Sequence, residues 1–206
     1  MTPNTSQTLR SISGMSEKPA ALSQSTLIMI DCQNTYREGV MELAGVEAAL
    51  DEARVLLERA RKLGIPIIHI QHNAGSGSPY DLESDLGQIA DKVSPQGDEP
   101  VITKTHPNAF VNTQLHEQLQ TSGAQNLVLA GFMTHMCVNS TARGAFNLGF
   151  APTVVSAATA TRALRDGVET VPADIIQKSS LAAIADLFGV VVRRGDDLAD
   201  LSLIHI

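Results

Sequence analysis

The sequence is poor in basic residues, in cysteine and in long apolar runs. Its 206 residues include 15 lysines and arginines against 22 acidic residues, a formal net charge of −7. Nucleic-acid binding depends on clustered basic side chains, so we expect a small-molecule ligand and no nucleic-acid partner. No apolar run approaches the roughly 18 residues that cross a bilayer, and residues 1–25 lack the apolar segment of a signal peptide. We therefore expect no membrane partner and a cytoplasmic location.

Several nucleotide-binding and catalytic motifs are also missing. No Gly-x-Gly-x-x-Gly follows the first predicted strand, which disfavours a dinucleotide-binding dehydrogenase. No Gly-x-Ser-x-Gly is present, so a serine hydrolase with a nucleophile elbow is excluded. The only cysteines are Cys32 and Cys137. A cytosolic chain of this size needs no disulfide, and each thiol therefore requires its own explanation.

The composition predicts one folded domain. With 43% apolar residues, the chain has enough material for one substantial core. Residues 1–24 are rich in serine, threonine and proline and predict an N-terminal tail or an arm on another subunit. Residues 25–195 form the predicted domain, and residues 196–206 the C-terminal tail. The apolar end at residues 201–206 is consistent with cover for a neighbouring subunit.

The domain alternates apolar runs with amphipathic segments. Strands are predicted at 26–30, 65–70, 100–103, 126–130, 152–155 and 190–192, and helices at 44–62, 83–93, 112–122, 135–148 and 171–188. This alternation implies right-handed crossovers and a parallel sheet with helices on both faces. We predict a Rossmann-like three-layer α/β/α fold, with a six-stranded parallel sheet in the order 3-2-1-4-5-6.

Three reactive side chains follow strands of this sheet. Parallel sheets bind ligands at the carboxyl ends of their strands. Asp31 follows the first strand and Cys137 lies at the helix start after the fourth, where a thiolate is favoured. Lys104 follows the third strand, about 10 Å from the first, within reach of a long side chain. Together they predict a cysteine nucleophile with charged partners. Judged singly, the alternatives are a core cysteine, a loop-capping aspartate and a solvated lysine.

At these residues the sequence resembles the isochorismatase-like cysteine hydrolases, a family that includes nicotinamidases and N-carbamoylsarcosine amidase. The resemblance implies a triad of Asp31, Lys104 and Cys137. It also implies a cis peptide between Phe132 and Met133, and an oxyanion hole formed by the backbone N–H groups of Met133 and Cys137. The matching motifs, in the family's order and spacing between Ser25 and Val192, are Ile30-Asp31-Cys32-Gln33, Lys104-Thr-His-Pro-Asn-Ala-Phe110 and Gly131-Phe-Met-Thr-His-Met-Cys-Val138.

The implied activity is hydrolysis of a C–N bond in a small amide, carbamoyl or ureido compound through a thioester. Two alternatives remain open. One is vinyl-ether hydrolysis of an isochorismate-like acid, which needs a general acid and no nucleophile. The other is a catalytically silent, ligand-binding member of the family. The resemblance further implies a homo-oligomer, a dimer or a tetramer.

No metal or cofactor is expected. Nicotinamidases hold a metal with an Asp-x-His pair and a further histidine, and residues 34–43 contain neither aspartate nor histidine. His69 and His72 lie three apart on an extended segment and are predicted to face opposite ways, so His69 is interpreted as a packed histidine. The segment 75–80 predicts a flexible lid, and Cys32 a core residue. The predicted substrate-pocket residues are Gln33, Tyr36, His72, Asn108, Phe110, Thr134 and His135.

Overall fold

In the computed structural model, which describes residues 6–200, the chain folds around one parallel sheet. Six strands form it: β1 (Ser25–Ile30), β2 (Ile67–His72), β3 (Val101–Lys104), β4 (Asn126–Phe132), β5 (Ala151–Ala160) and β8 (Val190–Val192). Two further strands, β6 (Leu164–Asp166) and β7 (Glu169–Val171), form a separate antiparallel hairpin between β5 and β8. The order is β3-β2-β1-β4-β5-β8, with every pairing in the large sheet parallel. The predicted order is confirmed, since β8 is the sixth strand of this sheet.

Helices cover both faces of the sheet. They are α1 (Leu9–Ile12), α2 (Val46–Leu63), α3 (Leu115–Thr121), α4 (Asn139–Asn147) and α5 (Ala173–Ala183). Alternate residues of β1 enter different cores, because successive strand side chains point to opposite faces. Leu27 and Met29 pack with the apolar side of α2, whereas Ile28 and Ile30 pack with α3 and α4. This is the predicted three-layer arrangement.

The segment 83–93 differs from its prediction. It contains no α-helix and forms two short 3-10 turns, Asp85–Gly87 and Asp91–Val93. Between them the backbone pairs with the loop after β1: Ala90 N–H donates to Cys32 O at 2.8 Å, and Ile89 forms an isolated bridge with Gln33. These long-range bonds replace the local bonds of a helix. The helical prediction for 83–93 is therefore wrong.

The described terminal residues pack on the same chain. Arg10, on α1, is buried and donates to the carbonyl oxygen of Leu187 at 3.1 Å. Leu22 enters the core, and its N–H donates to Ala199 O at 2.9 Å. The tail boundaries and the dimeric or tetrameric state stay predictions. The apolar end at 201–206 lies outside the described residues. Within residues 6–200, the structure has no helix with the length and apolar character of a membrane span.

Candidate active site

Three elements bring Asp31, Lys104 and Cys137 together. Asp31 directly follows β1, and Lys104 is the last residue of β3. Cys137 lies in a short π-helical turn, Thr134–Val138, which joins β4 to α4. Lys104 Nζ lies 2.7 Å from Asp31 Oδ2 and 3.4 Å from Cys137 Sγ. The lysine side chain thus spans β2, as its length and the strand order predict.

Burial sets the protonation of this cluster. Asp31 is fully buried, and the loss of solvent raises the pKa of its carboxyl group, opposed by the charge of Lys104. Its Oδ1 accepts no hydrogen bond from any described residue. Burial, followed by the charge of Asp31, raises the pKa of Cys137 to about 12. The thiolate expected from the helix start is therefore not the resting form, because burial and the neighbouring carboxylate outweigh that effect.

His72 makes an unexpected contact with the cluster. Its Nδ1 lies 3.0 Å from Lys104 Nζ, and its ring meets the Tyr80 ring edge-on at 4.9 Å. Burial and the charge of Lys104 lower the pKa of His72 to about 4. The sequence predicted a pocket residue and missed this contact. A signal was available, since His72 and Lys104 are register partners at the ends of adjacent strands.

Two predicted pocket residues use their polar groups for structure. Gln33 is buried, and its amide both donates to His72 O and accepts from His72 N–H, each at 2.9 Å. Thr134 is also buried, and its hydroxyl donates to Ala160 O at 3.0 Å. Gln33 therefore fixes the end of β2, and Thr134 fixes the π-helical turn against β5. The substrate contacts predicted for both side chains stay predictions.

Asn108 and Phe110 also have structural positions. The Asn108 side chain accepts from Phe110 N–H at 3.0 Å and lies where a Cβ on Gly144 would clash at 2.6 Å. Phe110 stacks on Phe150 with centroids 5.9 Å apart. Because Phe150 precedes β5, this stack lies at the amino edge of the sheet, opposite the triad. Asn108 thus shapes the loop after β3, and Phe110 packs against the core. The substrate contacts predicted for Asn108 and Phe110 stay predictions.

Tyr36 and His135 lie nearer the triad. Tyr36 is buried, and its ring packs edge-on against Phe132 at 5.6 Å and Tyr80 at 5.8 Å. Burial, then the charge of Asp31, raises the pKa of Tyr36. His135 is half-buried, and its Nδ1 lies 2.5 Å from the hydroxyl of Thr161. Sequence patterns did not predict a role for Tyr80, because its contacts are made across the fold.

The end of β4 has an unusual backbone. The peptide bond between Phe132 and Met133 is cis. Gly131 has φ of 117°, and a Cβ there would lie 1.9 Å from Ile30 O, so only glycine fits beside β1. The oxyanion hole assigned to the N–H groups of Met133 and Cys137 stays a prediction.

A family model described as the isochorismatase domain matches residues 25–194. The chain belongs to the isochorismatase family. The secreted isochorismatase effector Isc1 of Verticillium dahliae is 36% identical over 188 residues, covering 91% of this chain and 97% of that protein. The ureidoacrylate amidohydrolase RutB of Rhizobium rhizogenes is 26% identical, covering 87% of this chain and 84% of RutB.

Solved structures agree with this assignment. The crystal structure of an isochorismatase from Pseudomonas putida KT2440 superposes with a TM-score of 0.91 at 38% identity, covering 94% of this chain and 100% of that chain. This isochorismatase-family chain is therefore a hydrolase, related to amidohydrolases of non-peptide C–N bonds. Its cytoplasmic location stays a prediction, and the Verticillium relative carries the word secreted in its name.

The two histidines of β2 have separate partners in this isochorismatase-family chain. His69 Nε2 lies 2.9 Å from Glu99 Oε2, whereas His72 contacts Lys104. Within residues 6–200, no group of three or more histidine, cysteine, aspartate or glutamate side chains is arranged to hold a metal ion. The independence of the hydrolase from metal stays a prediction.

One cavity of this isochorismatase-family chain lies away from the triad. It measures about 630 Å³ and is lined by residues that include Asn34, Gln71 and Asp85. The triad itself is nearly closed, since Cys137 is 5% exposed. Narrow access to the sulfur favours a small substrate.

Proposed function

We propose that this hydrolase cleaves a C–N bond of a small amide, carbamoyl or ureido compound through a thioester on Cys137. The contact that carries the proposal is the position of Lys104 Nζ, 2.7 Å from Asp31 Oδ2 and 3.4 Å from Cys137 Sγ. A cysteine nucleophile needs an adjacent base and a group that orients that base. In this cluster Asp31 is the base and Lys104 is the orienting cation.

The raised pKa of Asp31 suits it to the first step. Asp31 accepts the proton of Cys137 as the sulfur attacks the carbonyl carbon, and Lys104 stabilises the negative charge that the pair retains. The carbonyl oxygen becomes an oxyanion, for which the backbone N–H groups of Met133 and Cys137 are the proposed donors. Each such donor lowers the barrier by about 3 kcal/mol.

The leaving group then takes the proton from Asp31 and departs as ammonia or an amine, leaving a thioester. Water attacks the thioester carbonyl, with Asp31 as the general base. The products are the free thiol of Cys137 and a carboxylic or carbamic acid. In the second half-reaction Asp31 returns the proton taken from water to the departing thiolate of Cys137. In both half-reactions the carboxyl group first accepts and then donates a proton, which requires a pKa that is neither strongly lowered nor fixed by several hydrogen-bond donors.

Arg162 supports a substrate that carries an anionic group. Its Nε is buried and donates no hydrogen bond to a described residue. Burial and the positive charge of Arg162 lower the pKa of His135, so a cation lies near the turn that carries Cys137. Ureidoacrylate, the compound in the name of the RutB relatives, combines a ureido group with a carboxylate. A ureido acid is therefore the first substrate class to examine.

Vinyl-ether hydrolysis is the second candidate. The Verticillium relative is named an isochorismatase, and the raised pKa of Asp31 would also suit a general acid. In that reaction Asp31 protonates the substrate, and Cys137 forms no bond. The silent, ligand-binding alternative has less support, because every member of the proposed triad is present and Lys104 contacts both Asp31 and Cys137.

Substrate screening with Cys137 variants tests the proposal. Primary amides, ureido acids, carbamoyl compounds and isochorismate are assayed by product release, and the protein is examined by mass spectrometry for an acyl adduct. Cys137→Ala and Cys137→Ser are expected to lose C–N hydrolysis and the adduct, whereas Cys32→Ala, the matched thiol control, keeps both. Full C–N hydrolysis by Cys137→Ala would refute the thioester, and isochorismate turnover by that variant would support the second candidate.

A matched substrate pair tests Arg162. A ureido acid and its methyl ester differ by one negative charge. Arg162→Gln is expected to raise KM for the acid by about tenfold, the effect of losing one hydrogen bond between charged groups, and to leave KM for the ester nearly unchanged. Equal effects on the two substrates would contradict an anion-binding role.

A further inference from the structure

The ammonium group of Lys104 has three hydrogens and three nearby acceptors. Its Nζ lies 2.7 Å from Asp31 Oδ2, 3.0 Å from His72 Nδ1 and 3.4 Å from Cys137 Sγ. An ammonium group donates three hydrogen bonds and accepts none. The contacts with His72 Nδ1 and Cys137 Sγ have hydrogen-bond geometry, and the contact with Asp31 Oδ2 is a close ion pair. Three partners on different sides therefore constrain the orientation of the ammonium group.

The chemistry of His72 defines its part in this arrangement. Burial, followed by the charges of Lys104 and His106, lowers its pKa to about 4, so the ring is neutral near pH 7. Because Lys104 only donates, His72 Nδ1 accepts, and its proton resides on Nε2. The groups that face the ring are Lys104 from β3, His106 from the following loop and the edge of Tyr80.

The backbone of His72 is held on both sides. The amide of Gln33 accepts from its N–H and donates to its carbonyl oxygen, each at 2.9 Å, and donates a further bond to Gly87 O at 2.7 Å. Tyr80 packs against the imidazole ring. The acceptor at Nδ1 is thus fixed before any substrate binds, which is the usual requirement for a group that orients a catalytic side chain.

We propose that His72 is a positioning residue: its Nδ1 holds one N–H of Lys104 and thereby directs the other two at Asp31 and Cys137. The inference rests on the proposed function, because that function assigns the triad roles. Without the acceptor at Nδ1, the ammonium group rotates, and its charge is directed less well at the sulfur. The thiolate then forms less readily at a given pH.

The test measures thiolate formation without a substrate. The rate of Cys137 alkylation by iodoacetamide is followed by mass spectrometry between pH 6 and pH 10, since the thiolate is the reactive form. His72→Leu and His72→Ala remove the acceptor. His72→Asn retains one, because Oδ1 of asparagine lies the same number of bonds from the backbone as Nδ1 of histidine.

The variants are expected to separate into two groups. At pH 9, His72→Leu and His72→Ala are expected to alkylate about tenfold more slowly than the natural protein, the effect of one hydrogen bond to a charged group. Their pH profiles shift upward, while His72→Asn stays close to the natural protein in both respects. If His72→Leu does not fold, His72→Ala and His72→Asn carry the comparison. His116→Asn makes the same imidazole-to-amide change beside Phe110 and Phe150 and is expected to change nothing.

Two results would overturn the inference. One is an unchanged alkylation rate and pH profile in His72→Leu and His72→Ala. The other is equal slowing in the Leu, Ala and Asn variants, which would make the ring important for its shape alone. Failure of the proposed function appears elsewhere, as the absence of an acyl adduct on the natural protein with every substrate. The two failures are therefore distinguishable.

Discussion

Two carboxylates of this protein, Asp31 and Glu99, each contact a cationic side chain, yet their pKa values shift in opposite directions. Glu99 receives two bonds from Arg61, at 2.7 and 2.8 Å, and contacts His69 at 2.9 Å. Hydrogen bonds from Arg61 lower the pKa of Glu99 to about 2. Burial raises the pKa of Asp31, whose Oδ1 accepts no bond from a described residue.

The difference separates a structural site from a reactive one. Glu99 precedes β3 at the amino edge of the sheet, where its bonds hold α2, β2 and the adjoining loop together. Asp31 follows β1 at the carboxyl edge, where parallel sheets bind ligands. A carboxylate surrounded by donors keeps its charge, whereas a buried one with few donors readily accepts a proton. Burial dominates at Asp31 and donated hydrogen bonds dominate at Glu99, although both carboxylates contact a cation.

The largest expected effect follows from removing the base. Asp31→Asn keeps the size of the side chain but cannot accept a proton, so we expect kcat/KM to fall on the order of 10³-fold, within the range for a lost general base. Circular dichroism checks that the variant is folded. Activity close to that of the natural protein would show that another group takes the thiol proton.

Changing the cation gives the next effect. Lys104→Ala is expected to lose activity on the order of 10²-fold through the loss of electrostatic stabilisation. Lys104→Arg is expected to be far less damaging, because it keeps a positive charge near Asp31. Steady-state kinetics of the two variants measure the difference. If both resemble the natural protein, Lys104 has no part in catalysis.

Glu99→Gln is expected to alter stability and leave catalysis intact. Glu99 is 13% exposed in its side chain, and its loss leaves Arg61 partly buried without its carboxylate. We expect the free energy of unfolding to fall by about 2 kcal/mol, measured by urea denaturation. The value of kcat should stay within about twofold, since the triad does not contact Glu99. A large loss of kcat with normal stability would remove the distinction between the two sites.

The pH dependence of unfolding tests the lowered pKa of Glu99 directly. The folded-state pKa of Glu99 is about 2, below its ordinary value of 4.5, so protons bind the unfolded chain more tightly. Its stabilising contribution is present above pH 4.5 and is lost as the pH falls toward 2. The stability difference between the natural protein and Glu99→Gln is expected to shrink over this window. A constant difference across it would contradict the lowered pKa.

The smallest expected effect is that of metal removal. His69 contacts Glu99 and His72 contacts Lys104. Each imidazole ring therefore has a side-chain partner at one nitrogen without a metal ion. We expect unchanged turnover and melting temperature after exhaustive chelation. Activity that disappears and returns with added zinc, manganese or iron would contradict this prediction and favour nicotinamidase-like chemistry.

Local patterns in the sequence determined the parallel sheet, and the catalytic roles of the triad stay predictions. Apolar runs predicted the strands, and the order that is common for such sheets placed Asp31, Lys104 and Cys137 together, because parallel strands end at one edge. The long amphipathic pattern of α2 likewise predicted its extent to within two residues. The helical prediction for the segment 83–93 was wrong. Its backbone bonds to the loop after β1, and the local sequence gives no signal of such long-range bonds.

Only the tertiary structure decided how polar side chains are used. Gln33, Thr134 and Asn108 follow or flank reactive residues, as pocket residues do, yet their polar groups bond to backbone. The contact between His72 and Lys104 requires the β2–β3 register, and the protonated thiol of Cys137 requires its burial. Hydrogen bonds and desolvation depend on which groups meet in space, whereas the sequence pattern records only which face of an element is apolar.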